Sequence, residues 1–545
     1  MSVARPIDRT APAPAQSGSV SNTFLSKAAF ALLLLIATIR IVATYHVFND
    51  TVDEAWHVGC GMIWLSGRTY DCNPEHPPLA RGMMALGPFL AGARDPGFPG
   101  GQPEGRSVLH QGHFDRMLAL ARMGVLPFFW LAALVVYLWT RRSFGEPAAF
   151  FATLCFTMFP TALAHAGVAT TDMPATGSIA AAFLAMLYWA KNPTPARSLL
   201  FGAALALAVL SKFSSLAFLP SAAIAALAGY FIFQRPRLRT LLRSTLLFAV
   251  SASIVAPTAA ILIWAGYQFH LAHGVPAPEL WQGISDVMSH NHTGHPGYLL
   301  GHYGEQGWWY YYPVAIFYKT PLALLALIAV GLVVCLKRCR EREGAYITPL
   351  AFALGMLVFA ATFSHINLGI RHILPAYVGF SVIAGVGAQW LWRSGGSFNK
   401  ASRAILAGLL VWFAASSALS HPDYLAYFNE LAGSQPEKIL IDSDLDWGQD
   451  MKRLGARLQQ LGVKELAFDP FNGAYVEDMQ NEGRFPLIKP LNPNGPAKGW
   501  NAASLTMLKL WRLGYFKSDP NKVLWTDRIP PTERVGKGVL LWYIP

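Results

Sequence analysis

The chain has 545 residues, of which 53% are hydrophobic and only 14% charged, with a mean hydropathy of +0.33 and a formal net charge of +12. Apolar stretches near the roughly 20 residues needed to cross a bilayer core recur through its first three quarters, which excludes a string of soluble domains. The positive charge does not indicate nucleic acid: Lys and Arg cluster in short loops between apolar runs, as topology signals do, and no basic stripe interleaves with aromatics.

Residues 1–26, rich in Ala, Pro and Ser, are expected to be a disordered tail, and the first apolar run reads as an uncleaved anchor. An α-helical polytopic membrane protein follows, with eleven spans predicted at 28–45, 123–140, 147–165, 173–190, 198–211, 214–233, 245–267, 313–335, 346–364, 372–392 and 403–420. Arg141/Arg142, Lys191/Arg197, the Arg cluster 235–243, Lys337–Arg342 and Arg393–Arg403 fall on one side, whereas the loop 268–312 contains neither Lys nor Arg. That asymmetry predicts a cytoplasmic N-terminus and an external C-terminus. The transmembrane domain is thus 27–420, with two large external loops at 46–122 and 268–312. Within the first, Gly59–Leu90 suggests a helix or two along the interface. Beyond His421 the composition becomes mixed. Residues 421–545 read as a small external α/β domain, with strands at 439–442, 465–468 and 539–543 and a helix at 451–461.

Asp53-Glu54 opens the first loop just beyond span one. Two adjacent carboxylates there can be a general base, a metal site or a solvated turn. Glu75-His76-Pro77-Pro78 follows, with the prolines fixing the backbone ahead of a helix, so His76 and Arg81 are expected to be held in place. Cations recur near external span ends: Lys212 in a tight turn, Lys319 inside the predicted span 313–335, and Arg371 at the start of another. An ionisable group within a span is a functional candidate, with snorkelling to the surface as the bland alternative. Several cations on one side suit a lipid phosphate. Moving a sugar from a lipid phosphate to a hydroxyl needs a carboxylate base but no general acid, because cations neutralise the leaving phosphate. A glycosidase would need two opposed carboxylates. A single displacement inverts the anomeric centre.

The sequence resembles the GT-C glycosyltransferases of the protein O-mannosyltransferase and lipid A aminoarabinose transferase type. The resemblance rests on Asp53-Glu54, Asn73–Ala80, Thr170-Thr171-Asp172, Gly294–Gly301 (which includes His295), Gly307–Pro313, Lys319-Thr320-Pro321, Asn367–Arg371, Tyr427–Glu430 and Asp442–Asp450. It implies that Asp53 is the base, with Glu54 positioning the acceptor or base. It further implies substrate binding by His76, Arg81, Asp172, Lys212, His295, His302, Lys319 and Arg371. The expected donor is a polyprenyl-phosphate sugar and the acceptor a protein, lipid or glycan. The expected setting is a bacterial inner membrane with a periplasmic C-terminal domain and surrounding lipids as further partners. No cofactor is expected, a divalent metal included.

Other features carry less. The His290–His295 run matches no zinc signature, and Asp442–Asp446 fails as a calcium loop because Trp447 and Arg453 stand where glycine and glutamate are required. That acidic turn reads as capping the helix near Asp450 or facing the acceptor. Trp308–Tyr312 reads as an interfacial aromatic belt, Cys60 and Cys72 are a candidate disulfide, and Asn49 and Asn291 begin glycosylation sequons. The rival reading is a transporter or flippase of a lipid-linked or anionic substrate. It predicts midplane charges and repeated halves, and no internal repeat is evident.

Overall fold

A computed structural model describes residues 19–98, 100–235, 238–393, 399–514, 519 and 522–545. Of the expected disordered tail, residues 1–18 lie outside these, and a helix, Ser19–Val42, already begins at Ser19. Seven described helices are long and apolar enough to cross a membrane, or eight if the pair Glu146–Thr157 and Pro160–Ala166, bent by 62°, is one span. Pro160 sits at the break, where its ring and missing N–H end the first arm's hydrogen-bond ladder. Every predicted span coincides with helix, but the helices at 28–45, 198–211 and 372–392 are not among those seven or eight. One needs correction: 313–335 is divided at Thr320-Pro321 into a short helix Tyr311–Lys319 and a span Leu322–Arg340. Lys319 therefore ends a helix rather than lying within a span.

The helix Ala376–Arg393 is the axis of the bundle, with 14 of its 18 residues buried. A helix apolar all round has neighbours all round, and glycine admits them. A Cβ on Gly387 would lie 2.5 Å from the Leu327 carbonyl oxygen and one on Gly385 2.6 Å from that of Ala148. Small residues at crossings let backbones approach where hydrocarbon offers no hydrophobic drive, so packing itself supplies the attraction.

The first loop folds into helices Glu54–Leu65, Pro78–Leu90, Gly101–His110 and Phe114–Met123, the last continuing towards the span Leu126–Phe144. Cys60 and Cys72 are disulfide-bonded. The second loop carries a hairpin of β1 (Leu271–Ala272) and β2 (Val275–Pro276), a helix Pro278–Thr293, and a hairpin of β3 (Gly297–Leu299) and β4 (His302–Gly304).

The C-terminal part holds a five-stranded sheet of β5 (Glu465–Asp469), β6 (Leu487–Pro490), β7 (Gly499–Ser504), β8 (Glu533–Val535) and β9 (Val539–Ile544), in the order β6-β5-β7-β9-β8. The strand expected at 439–442 is absent. Two 3-10 turns, Pro436–Lys438 and Asp442–Asp444, stand there instead, because this segment bonds to the membrane domain rather than to a sheet. Tyr311 and Tyr312, expected in an aromatic belt, are buried, and their hydroxyls bond Asp444 Oδ2 at 3.3 Å and the Ile366 carbonyl at 3.2 Å. The sequon residue Asn49 is likewise fully buried, its amide donating to the Gly448 carbonyl.

Gly387→Leu forces side-chain volume into a backbone contact and is expected to cost at least about 1–3 kcal/mol. A lowered melting temperature of the purified protein in detergent checks this, with Gly408→Leu, where nothing lies within 4 Å, as the silent control.

Candidate active site

Four distant parts of the chain meet above the bundle. Asp53 precedes the first turn of helix Glu54–Leu65, and 36% of its side chain is exposed. Asp172 begins the span Asp172–Lys191, where the helix N-terminus favours a negative charge. Lys212 lies in the break between helices Pro195–Ser211 and Ser215–Gly229, as the tight turn predicted. Arg371 sits in the 3-10 turn Ile370–Ile373 ahead of the axial helix. Its guanidinium reaches Asp53 Oδ2 at 3.2 Å and Asp172 Oδ2 at 3.6 Å, while Lys212 Nζ meets Asp172 Oδ1 at 2.5 Å. The result is a chain of alternating charges, Asp53–Arg371–Asp172–Lys212, with Asp53 the most exposed carboxylate.

The C-terminal segment covers it. Trp447 lies over the Arg371 guanidinium, 4.2 Å from ring centroid to Cζ, and its carbonyl accepts from Val52 N at 3.3 Å. Ser443 Oγ donates to the Leu368 carbonyl, and Asp444 Oδ1 accepts from Ile370 N at 3.1 Å. Gly369, at φ +101°, makes this approach feasible, since a Cβ there would lie 2.5 Å from Ser443 Oγ. Asp442 adopts φ +59°, a left-handed conformation uncommon for a residue with a side chain. Burial raises its carboxyl to about 6, Arg371 opposes that rise, and Asp53 adds to it. The acidic turn, read from sequence as capping a helix or facing the acceptor, thus brings a further carboxyl within electrostatic reach of Asp53 and Arg371.

Histidines line the other flank. His290 Nδ1 lies 3.2 Å from Glu75 Oε2 and its Nε2 lies 3.3 Å from His295 Nδ1, giving a continuous Glu75–His290–His295 contact. His76 stands edge-on to His57 at 5.0 Å, with Nδ1 3.4 Å from Thr171 Oγ1. Burial, and next the Arg81 charge, hold His57 and His76 well below the usual imidazole range. Burial also lowers His372 and His295, with Lys212 and Arg371 adding to the effect on His372 and His290 and Arg371 on His295. These four rings are therefore neutral near pH 7, and the fixed positive charge facing Asp53 and Asp172 comes from Arg371 and Lys212.

Other predicted residues lie elsewhere or face inward. Glu54 is wholly buried, and both its oxygens are taken: Arg122 Nε and Nη2 each donate at 2.8 Å, as do the Thr51 and Ala169 amides. It braces the loop that presents Asp53. Arg122, which the sequence reading did not single out, also holds the Asn49 carbonyl at 2.8 Å. Arg81 is buried, donating to His57 Nδ1, the Tyr70 hydroxyl, the Cys72 and Asn73 carbonyls and Asn73 Oδ1, which makes it a clamp for the 70–76 turn. Lys319 donates to the Leu425 and Asp444 carbonyls beneath the Phe428 ring, which ties down the C-terminal segment. His302 stands exposed at the end of a hairpin. Among the described residues, no group of three or more His, Cys, Asp or Glu side chains is placed to hold a metal ion.

Residues 120–264 match the sequence model of the family described as dolichyl-phosphate-mannose-protein mannosyltransferase. That match spans about a quarter of the chain. No curated protein matches the chain. Among solved structures, the chain is similar to ArnT from Cupriavidus metallidurans bound to undecaprenyl phosphate, at 14% identity over 94% of this chain and 97% of that one, with a TM-score of 0.48. It is similar to the archaeal oligosaccharyltransferase AglB from Archaeoglobus fulgidus, in complex with an inhibitory peptide and a dolichol-phosphate, at 14% identity over 73% and 56% with a TM-score of 0.48. The S. cerevisiae protein O-mannosyltransferase Pmt1-Pmt2 complex bound to the sugar donor gives 18% identity over 45% and 34%, with a TM-score of 0.35.

Glu54→Ala leaves Arg122 buried without its counter-charge and is expected to destabilise the protein by about 3–5 kcal/mol. Asp53→Asn, at a part-exposed position, should barely move the melting temperature. Thermal unfolding of the two variants in one detergent checks the contrast.

Proposed function

We propose that this transferase moves a sugar from a polyprenyl-phosphate donor to an acceptor hydroxyl by a single inverting displacement, with Asp53 as the base. The observation that carries the reading is the part-exposed Asp53 carboxylate set 3.2 Å from Arg371, with Lys212 one carboxylate further on. Arg371 holds Asp53 in place, so that its free oxygen can take the proton of an entering hydroxyl. The donor phosphate is met by Lys212 and Arg371, whose charges stabilise the departing polyprenyl phosphate without proton transfer to it. The neutral His76 and His295 rings hydrogen-bond sugar or acceptor, and Glu54 and Asp172 act by holding Asp53 and the two cations. The acceptor is a hydroxyl of a protein, lipid or glycan.

The proposed setting is a bacterial inner membrane, with Asp53 and the C-terminal domain on the periplasmic side and the N-terminus in the cytoplasm. The alternation of basic loops supports that orientation. No cofactor enters the proposed chemistry.

Asp53→Asn keeps the size and removes the base, so turnover is expected to fall by about 10²–10⁴-fold with donor affinity retained. Release of polyprenyl phosphate from radiolabelled polyprenyl-phosphate sugars in proteoliposomes measures it, with Asp442→Asn beside it. Equal turnover by wild type and Asp53→Asn, with loss in Asp442→Asn, would move the base to Asp442.

Lys212→Gln removes one charge from the phosphate site and should raise the KM for donor about tenfold or more, with a smaller effect on kcat. An unchanged KM would place the donor phosphate elsewhere.

A further inference from the structure

Two spans that start beside the candidate active site end together at the far side of the bundle. Leu322–Arg340 begins just after Lys319, and Ala376–Arg393 begins just after Arg371. At about 1.5 Å per residue, their last turns lie roughly 25 Å from those starts. Between these ends is a cavity of about 360 Å³ lined by Val334, Arg338, Tyr346, Val386, Gln389, Trp390 and Arg393. Nothing in the proposed sugar transfer uses it.

Its lining is divided in a telling way. Val334 and Val386 form an apolar wall deeper in the bundle, while Arg338 and Arg393, both exposed, stand in the final turns. Both guanidinium groups lie within electrostatic reach of the Tyr346 phenol, so they converge on one mouth. Gln389 is held by the Phe144 carbonyl at 3.0 Å, and the Tyr346 ring packs on Phe144 at 4.8 Å, which fixes the polar floor. Trp390 and Trp392 are exposed nearby, at the level where indole rings settle in a bilayer boundary. Arg338 also meets Glu341 and Glu343 at 3.1 and 2.9 Å, but these are exposed pairs of small worth. Lys337, Arg340 and Arg342 keep the local balance positive.

We propose that this cavity binds the phosphate-bearing headgroup of an anionic phospholipid, with Arg338 and Arg393 on the phosphate and the acyl chains beside Val334 and Val386. A guanidinium presents a fork of donors that suits phosphate oxygens, and basic recesses between span ends recognise lipid headgroups. A free phosphate ion satisfies the cations but leaves the apolar wall uncovered, whereas a lipid engages both.

The test is native mass spectrometry of the full chain in detergent, titrated with phosphatidylglycerol or phosphatidylcholine. Wild type should retain phosphatidylglycerol more tightly than phosphatidylcholine. Arg393→Gln and Arg338→Gln, made singly, should each weaken phosphatidylglycerol retention about fivefold and leave phosphatidylcholine unchanged. Both positions are exposed and far from Asp53, so melting temperature and donor turnover should match wild type. Equal retention of both lipids by wild type, or unchanged phosphatidylglycerol retention in both variants, overturns the proposal. Displacement of phosphatidylglycerol by excess inorganic phosphate would show a site for the ion alone and would equally overturn the lipid assignment.

Discussion

Arg371 is the group around which the outer face is organised. A guanidinium removed from water must find counter-charges, because unpaired burial costs several kcal/mol. It finds Asp53 from the first loop, Asp172 from the start of a span, and the face of Trp447 from the C-terminal segment. Meeting that one requirement draws together four parts of a 545-residue chain. It also leaves one carboxylate, Asp53, partly open to solvent.

The remaining cations divide by what they touch. Arg122, Arg81 and Lys319 are each wrapped in internal acceptors, and each fastens a different piece: the start of the first loop, the 70–76 turn and the C-terminal segment. Lys212 and Arg371 contact carboxylates at an accessible edge. Those carboxylate contacts fix both cations in place, so a ligand meeting them would incur little ordering cost. The neutral imidazoles complete the wall without adding charge.

Close packing in the bundle connects this arrangement to the rest of the molecule. The axial helix follows directly on Arg371, and its glycines let the flanking spans approach at backbone distance. Small errors there would be transmitted to the loop holding Arg371, because close-packed interiors do not deform smoothly. The same two spans carry the basic cavity at their other ends.

The membrane helices were legible in the sequence because a bilayer leaves backbone polar groups no partner outside the helix, so a span must be written as an apolar run; of the C-terminal sheet only β5 and β9 were legible. Asp53, Lys212 and Arg371 were legible as candidates, since charge beside a span is rare enough to notice. Their partners were not. Lys319 and Lys212 look alike in sequence, yet one bonds two carbonyls and the other meets Asp172. Glu54 adjoins Asp53, but helical geometry turns one into the core and leaves the other at the edge. The strand-like pattern at 439–442 was overridden once the neighbouring Asp444 found donors at Ile370 and Tyr311. Hydropathy and charge along the chain determined which segments are apolar enough to cross a membrane and where the charges gather between them. Only the tertiary structure decided which charges oppose one another, because a partner 40 to 318 residues away leaves no trace in local pattern.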